Sequence, residues 1–110
     1  MKVYNLESPR SGRTVANQFI IEEEGGIMGN FIKRQTFQSY DTVIATITTW
    51  NPEDCKHRKD VSHVDIVLDE NHWNYSKTTS KYRNQFLRET TEETKRKIKE
   101  GIYKLENLNK

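Results

Sequence analysis

The stretch TVIATITTW, residues 42–50, decides the fold class. Val43, Ala45 and Ile47 alternate with Thr42, Ile44, Thr46 and Thr48, a period of two that sets a mostly apolar face against a mostly threonine one. That is the pattern of a strand in a sheet with one face wet.

The same texture continues upstream. KVYNL (2–6), RTVANQFIIEE (13–23) and NFIKRQTFQSY (30–40) are short runs rich in β-branched and aromatic residues. Turn signals separate them, with Pro9 and Gly12 in SPRSG and then Gly25 and Gly26. Downstream, NPEDCKHRKD (51–60) reads as a polar loop, and VSHVDIVLD (61–69) as a fifth strand. In that strand Val64, Ile66 and Leu68 alternate with His63, Asp65, Val67 and Asp69, which turns His63 away from the core.

After Trp73 the period changes. In TTSKYRNQFLRE (78–89), Tyr82 and Phe86 are four apart, Leu87 widens the apolar stripe, and Thr78 or Thr79 can cap the start. A second helix is marked at both ends, by the capping-box pair Thr90 and Glu93 and by Gly101 as a left-handed stop. Strands first and helices after predict an α+β fold, an antiparallel sheet of about five strands followed by two helices packed on one face. The expected organisation is a single domain over 1–110. Its sheet part is 1–70 with a loop insertion near 51–60, its helices lie in 75–101, and 102–110 is a short extended tail.

Composition limits the function classes. At 33% hydrophobic and 31% charged residues the core is thin, yet eleven aromatics argue for a folded chain. There is no run of eighteen apolar residues, and MKVYNLESPR lacks the apolar core of a signal peptide, so a cytosolic protein is expected. The single cysteine excludes an internal disulfide. Net charge is +2, with five basic and seven acidic residues in 1–55 and thirteen basic and nine acidic in 56–110. That asymmetry is too mild to announce a nucleic-acid binder by itself.

The segment CKHRKDVSHVDIVLDENH (55–72) holds the only cysteine and all three histidines. Zinc takes such ligands in fours, so Cys55, His57, His63 and His72 form a candidate site. Seven extended residues from His63 to Asp69 span roughly 20 Å, which makes three ligands easier than four. Asp60 or Asp65 can stand in for His72, and a solvated loop that collected its histidines by chance is the competing reading. An enzyme is not expected. Cys55 and His57 are two apart with no third group to orient them, there is no P-loop, and the glycines of GGIMGN (25–30) lead into a strand rather than a helix.

Two surfaces can bind a partner. Lys95, Arg96, Lys97 and Lys99, with Lys77, Lys81, Arg83 and Arg88, make the helices basic, interleaved with Tyr75, Tyr82 and Tyr103. Such a face fits phosphates and stacked bases, or is simply solvated. Lys56, Arg58 and Lys59 sit on the loop, and Trp50 and Trp73 bracket it as potential interface anchors.

SPRSGRTVANQFII (8–21), FQSYDTVIA (37–45), NYSKTTSKYRNQFL (74–87) and TKRKIKEGIYKLENLN (94–109) resemble, in this order, segments of a family of small uncharacterised proteins carried by phages and other mobile elements of Gram-positive bacteria. The resemblance covers most of the chain. It departs at about 48–69, where that family has a shorter hairpin and this chain has the loop with Cys55 and His57. The size and composition are similar to those of anti-CRISPR proteins that bind type II effector nucleases. The resemblance implies a stoichiometric inhibitor of a host defence nuclease, in the cytoplasm of the host bacterium, that blocks DNA loading or cleavage by docking on protein, since a chain at +2 is a poor DNA mimic. A nucleic-acid-binding accessory protein of a mobile element, acting through the basic helices, is the alternative.

Overall fold

Turn chemistry and strand texture together give a meander. The computed structural model describes residues 1–8, 10–25, 31–50 and 64–109, the side chains of 31, 32 and 50 excepted. Strands β1 (Lys2–Glu7), β2 (Thr14–Glu24), β3 (Phe31–Ser39), β4 (Thr42–Trp50) and β5 (Val64–Asp69) precede helices α1 (Lys77–Leu87) and α2 (Thr91–Lys99), and β6 (Lys104–Glu106) follows. They form one six-stranded sheet in the order β1-β2-β3-β4-β5-β6. The first five strands pair antiparallel, and β6 runs parallel to β5.

The architecture is the expected α+β one, with a correction at its C-terminal end. The extended tail contains a sixth strand, and the sheet is mixed rather than purely antiparallel. The cause is topological: α1 and α2 carry the chain back across the sheet, so the returning segment enters beside β5 in the same direction.

The core follows the register. Ile20, Phe37, Ala45 and Leu68 are successive cross-strand partners, so one row of side chains crosses four strands on the helix-covered face. Tyr82 and Phe86 of α1 pack on its β2–β3 end, and Ile98, Leu87, Trp73 and Tyr103 on its β4–β5 end. Complete burial of Phe37, Ile44 and Leu68 contributes about 1.5–3 kcal/mol for each side chain.

Ile44 departs from the expected alternation. Phe37 pairs with Ala45 but Gln38 pairs with Val43, so Ile44 is an extra residue in β4, a bulge. Ile44 and Ala45 are both fully buried. The bulge shifts the phase, placing Ile44 in the core with Ile20, Phe37 and Tyr82, and Val43 in register with Gln38 on the opposite face.

The helix ends are fixed locally. Ser76, rather than Thr78 or Thr79, caps α1 by accepting from the Thr79 N–H, which frees the buried Thr79 hydroxyl to bond Ser39 of β3 at 3.1 Å. At α2 the Thr90–Glu93 capping box forms as expected, and Gly101 takes φ +78° beyond the helix end.

Candidate functional site

Where α1 ends beside β1, a cleft of about 520 Å³ opens on the helix-covered face. Leu6, Ile20, Ile47 and Phe86 supply apolar walls, while Tyr4 and Arg88 bring polar groups. An apolar cavity with a few convergent polar groups is the usual form of a recognition site. The Tyr4 hydroxyl donates to Glu22 Oε1 at 2.7 Å and Gln35 Nε2 donates to the same oxygen at 3.0 Å. These bonds, from Tyr4 first and then Gln35, hold the Glu22 carboxyl below the usual range. Burial and the neighbouring carboxylate push the Tyr4 phenol up to about 12. Gln85 Nε2 donates to the Glu7 carbonyl at 2.8 Å, which fixes the last turn of α1 against the end of β1.

A second, buried polar network joins α1 to α2 and the segments around them. Arg83 is fully buried under α1, with its guanidinium 5.1 Å from the centre of the Trp73 ring. It donates to the Trp73 carbonyl at 2.5 Å, Asn84 Oδ1 at 2.8 Å and Thr91 Oγ1 at 2.9 Å. Burial lowers its pKa, and the negative charge of Glu89 opposes that effect. Glu89 accepts from Thr94 Oγ1 at 2.6 Å, from Lys97 Nζ at 3.0 Å and from the Tyr103 hydroxyl. Burial raises the Glu89 pKa, but these three donors outweigh it and hold the carboxyl below the usual range.

Three of the four proposed zinc ligands, Cys55, His57 and His63, lie outside the described residues, as do Asp60 and the proposed partner contacts Lys56, Arg58 and Lys59. His72 lies past the C-terminal end of β5, so a six-residue strand, roughly 17 Å of chain, separates it from the point where the chain enters at Val64. Its Nδ1 is 2.5 Å from Oδ2 of the fully buried Asp69, and its ring meets Tyr75 edge-on at 5.2 Å. In the tautomer that donates Nδ1–H to the carboxylate, Nε2 is the acceptor nitrogen, the arrangement a metal-ligating imidazole uses. Burial raises the Asp69 pKa, but the Leu108 and Asn71 N–H groups and His72 outweigh it and lower the carboxyl. Among the described residues no group of three or more His, Cys, Asp or Glu is placed to hold a metal.

The remaining candidates divide. Trp50 ends β4, while Trp73 is half-buried against the core and stacks on Arg83. Tyr82 is a core residue. On α2, Arg96 pairs with Glu100 at 2.8 Å, Lys95 with Glu92 at 3.8 Å and Lys97 with Glu89 at 3.0 Å, and Lys99 has no ion pair among the described residues. Over residues 89–100 four acidic side chains balance four basic ones. The structure brings together Tyr4, Leu6, Phe86 and Arg88, a set that reading along the chain did not single out because its members are about eighty residues apart. No local residue announces the cleft, since the cap of α1 at Arg88 lacks the glycine that marks the end of α2.

The model of a family of unknown function, DUF8033, matches residues 1–101. No curated protein matches the chain. No solved structure matches it either.

Proposed function

The chain belongs to DUF8033, and we propose that it is a stoichiometric protein-binding module encoded by a phage or mobile element, which inhibits a bacterial defence nuclease in the host cytoplasm. The target class is a type II CRISPR-Cas effector, blocked in DNA loading or cleavage. The observation that carries the choice of a protein partner over nucleic acid is the pairing of the basic side chains of α2. Three of the four face carboxylates, of Glu89 and Glu100 flanking the helix and of Glu92 within it, which leaves less free positive charge with which to release counterions from a phosphate backbone. The cleft beside β1, with apolar walls among polar groups, supports the same reading, because apolar contact ringed by polar groups is how protein interfaces gain affinity.

Zinc belongs to the proposal as a stabiliser of the 55–72 segment. Cys55, His57 and His63 supply ligands, with His72, Asp60 or Asp65 as the fourth. Asp69 orients the ring of His72 as a ligand's would be, while the length of β5 between His72 and Val64 favours Asp60 or Asp65.

The test is a cleavage assay in which the purified protein is titrated into a type II effector nuclease with its guide. Inhibition complete near one equivalent and retained at moderate salt is the expected result. Lack of inhibition at large excess, together with duplex DNA binding that falls steeply as salt rises, transfers the function to the nucleic-acid accessory role. The same preparation, purified without added metal or a histidine tag, should carry about one zinc per chain, and a content under about a tenth of an equivalent removes zinc.

A further inference from the structure

The two edges of the sheet differ. At one edge β6 is three residues long, exposed, and flanks Leu105 with Lys104 and Glu106, which is a short, charged edge of the kind that resists strand addition. The other edge is β1, twice as long, and among the described residues only β2 pairs with it. Alternate N–H and C=O groups along Lys2–Asn5, the part of β1 before its register with β2 shifts, therefore point outward without a strand partner. Its side chains include Val3 and Tyr4, 58% and 43% exposed.

This edge borders the cleft. Tyr4 and Leu6 line the cleft from β1, and Phe86 and Arg88 line it from α1. The cleft lies over the face of β1 to β4, so a strand added outside β1 would gain affinity from main-chain bonds while every second side chain lies beside Tyr4 and Leu6 at the border of the cleft. The charge at one end gives the added strand a preferred chemistry. The loop after Glu7 carries Arg10 and Arg13, and Arg88 lines the cleft beside Tyr4 and Leu6. All three arginines are exposed, and none has an ion pair among the described residues.

We propose that the β1 edge and the adjoining cleft bind an extended segment of a partner protein as a seventh strand, with apolar side chains at alternate positions facing Tyr4 and Leu6 and with acidic residues meeting Arg10, Arg13 and Arg88. This rests on the reading that the protein acts by binding another protein, and it adds the site and the chemistry of the bound segment.

The experiment uses a displayed library of random linear peptides selected on the full chain, followed by amide hydrogen exchange with an enriched peptide. Recovered sequences should alternate apolar and polar residues and carry Asp or Glu towards one end. The peptide should slow exchange of amides within Lys2–Glu7 by at least about tenfold. Arg88→Glu should weaken the peptide by about tenfold, and Arg88→Gly should weaken it less while leaving the fold intact. Failure to enrich any peptide, or binding that leaves β1 exchange unchanged, overturns the proposal. So does concentration-dependent protection of β1 in the free protein with a matching dimer in sedimentation, which assigns the edge to a second copy. Peptide binding at β1 with no nuclease inhibition refutes the choice of target and leaves the edge assignment standing.

Discussion

Arg88 holds a backbone conformation that costs any residue with a Cβ, φ +58° at the C-terminal cap of α1, where its N–H bonds the Asn84 carbonyl. Gly101 occupies the same region after α2 at φ +78°, with no atom within 4 Å of an added Cβ. The pair makes a matched test of backbone strain. Arg88→Gly should stabilise the protein by up to about 1 kcal/mol, and Gly101→Ala should destabilise it by about 1 kcal/mol through strain alone, both read from urea denaturation midpoints. A loss of stability in Arg88→Gly would mean that the guanidinium contributes more to the fold than the strain costs. The left-handed turn after α2 is announced by the glycine at 101. Arginine at 88 gives no such signal.

At the scale of elements, the strands were legible because β-branched and aromatic runs punctuated by Pro9, Gly12 and Gly25 admit little else. The direction in which side chains point was less legible. Strict alternation in β4 groups Ile44 with Thr42, Thr46 and Thr48, but the bulge turns it into the core. Ile44→Ala should therefore cost about 3 kcal/mol, the usual loss for a large-to-small change in a packed interior. Thr46→Ala, on the face away from the helices, should cost under about 0.5 kcal/mol. Thermal melts of the two variants decide between the phases, and equal small losses would restore the unbulged one. The bulge was hidden because it depends on how β3 and β4 are paired, and Val-Ile-Ala carries no turn residue to announce an inserted position.

At the scale of the whole molecule, two buried carboxylates and two tyrosines set the pH window of stability. Glu89 and Asp69 have folded pKa values below their ordinary ones, despite burial, because their donors outweigh it. Their contribution is present in full above the ordinary carboxylate range and is lost as pH falls through the lowered folded values. Tyr103, raised by burial and then by Glu89, and Tyr4, raised by burial and then by Glu22, titrate in the folded protein at about 12. Stability that depends on the neutral phenols is complete below their ordinary value and is lost as pH rises from there to about 12. Urea midpoints measured against pH should form a plateau with an acid and an alkaline limb. Glu89→Gln should flatten part of the acid limb, and Tyr103→Phe part of the alkaline one. An acid limb that Glu89→Gln leaves unchanged would show that the carboxylate is not stabilised as its contacts require. No helix is long and apolar enough to cross a membrane among the described residues, in keeping with the low hydrophobic content.

The elements and their class are written locally in the chain: five of the six strands, both helices, the capping box, and the order of strands before helices that makes the fold α+β. These are local matters, fixed by propensity and period within a dozen residues. Only the tertiary structure decided that the tail enters the sheet parallel to β5, that Ile44 faces inward, that Arg83 is buried rather than part of a basic surface, and that β1 and the end of α1 share a cleft. Each joins groups that are distant in the chain or depends on strand pairing. Such contacts are set by packing of the whole core, which no window along the sequence contains.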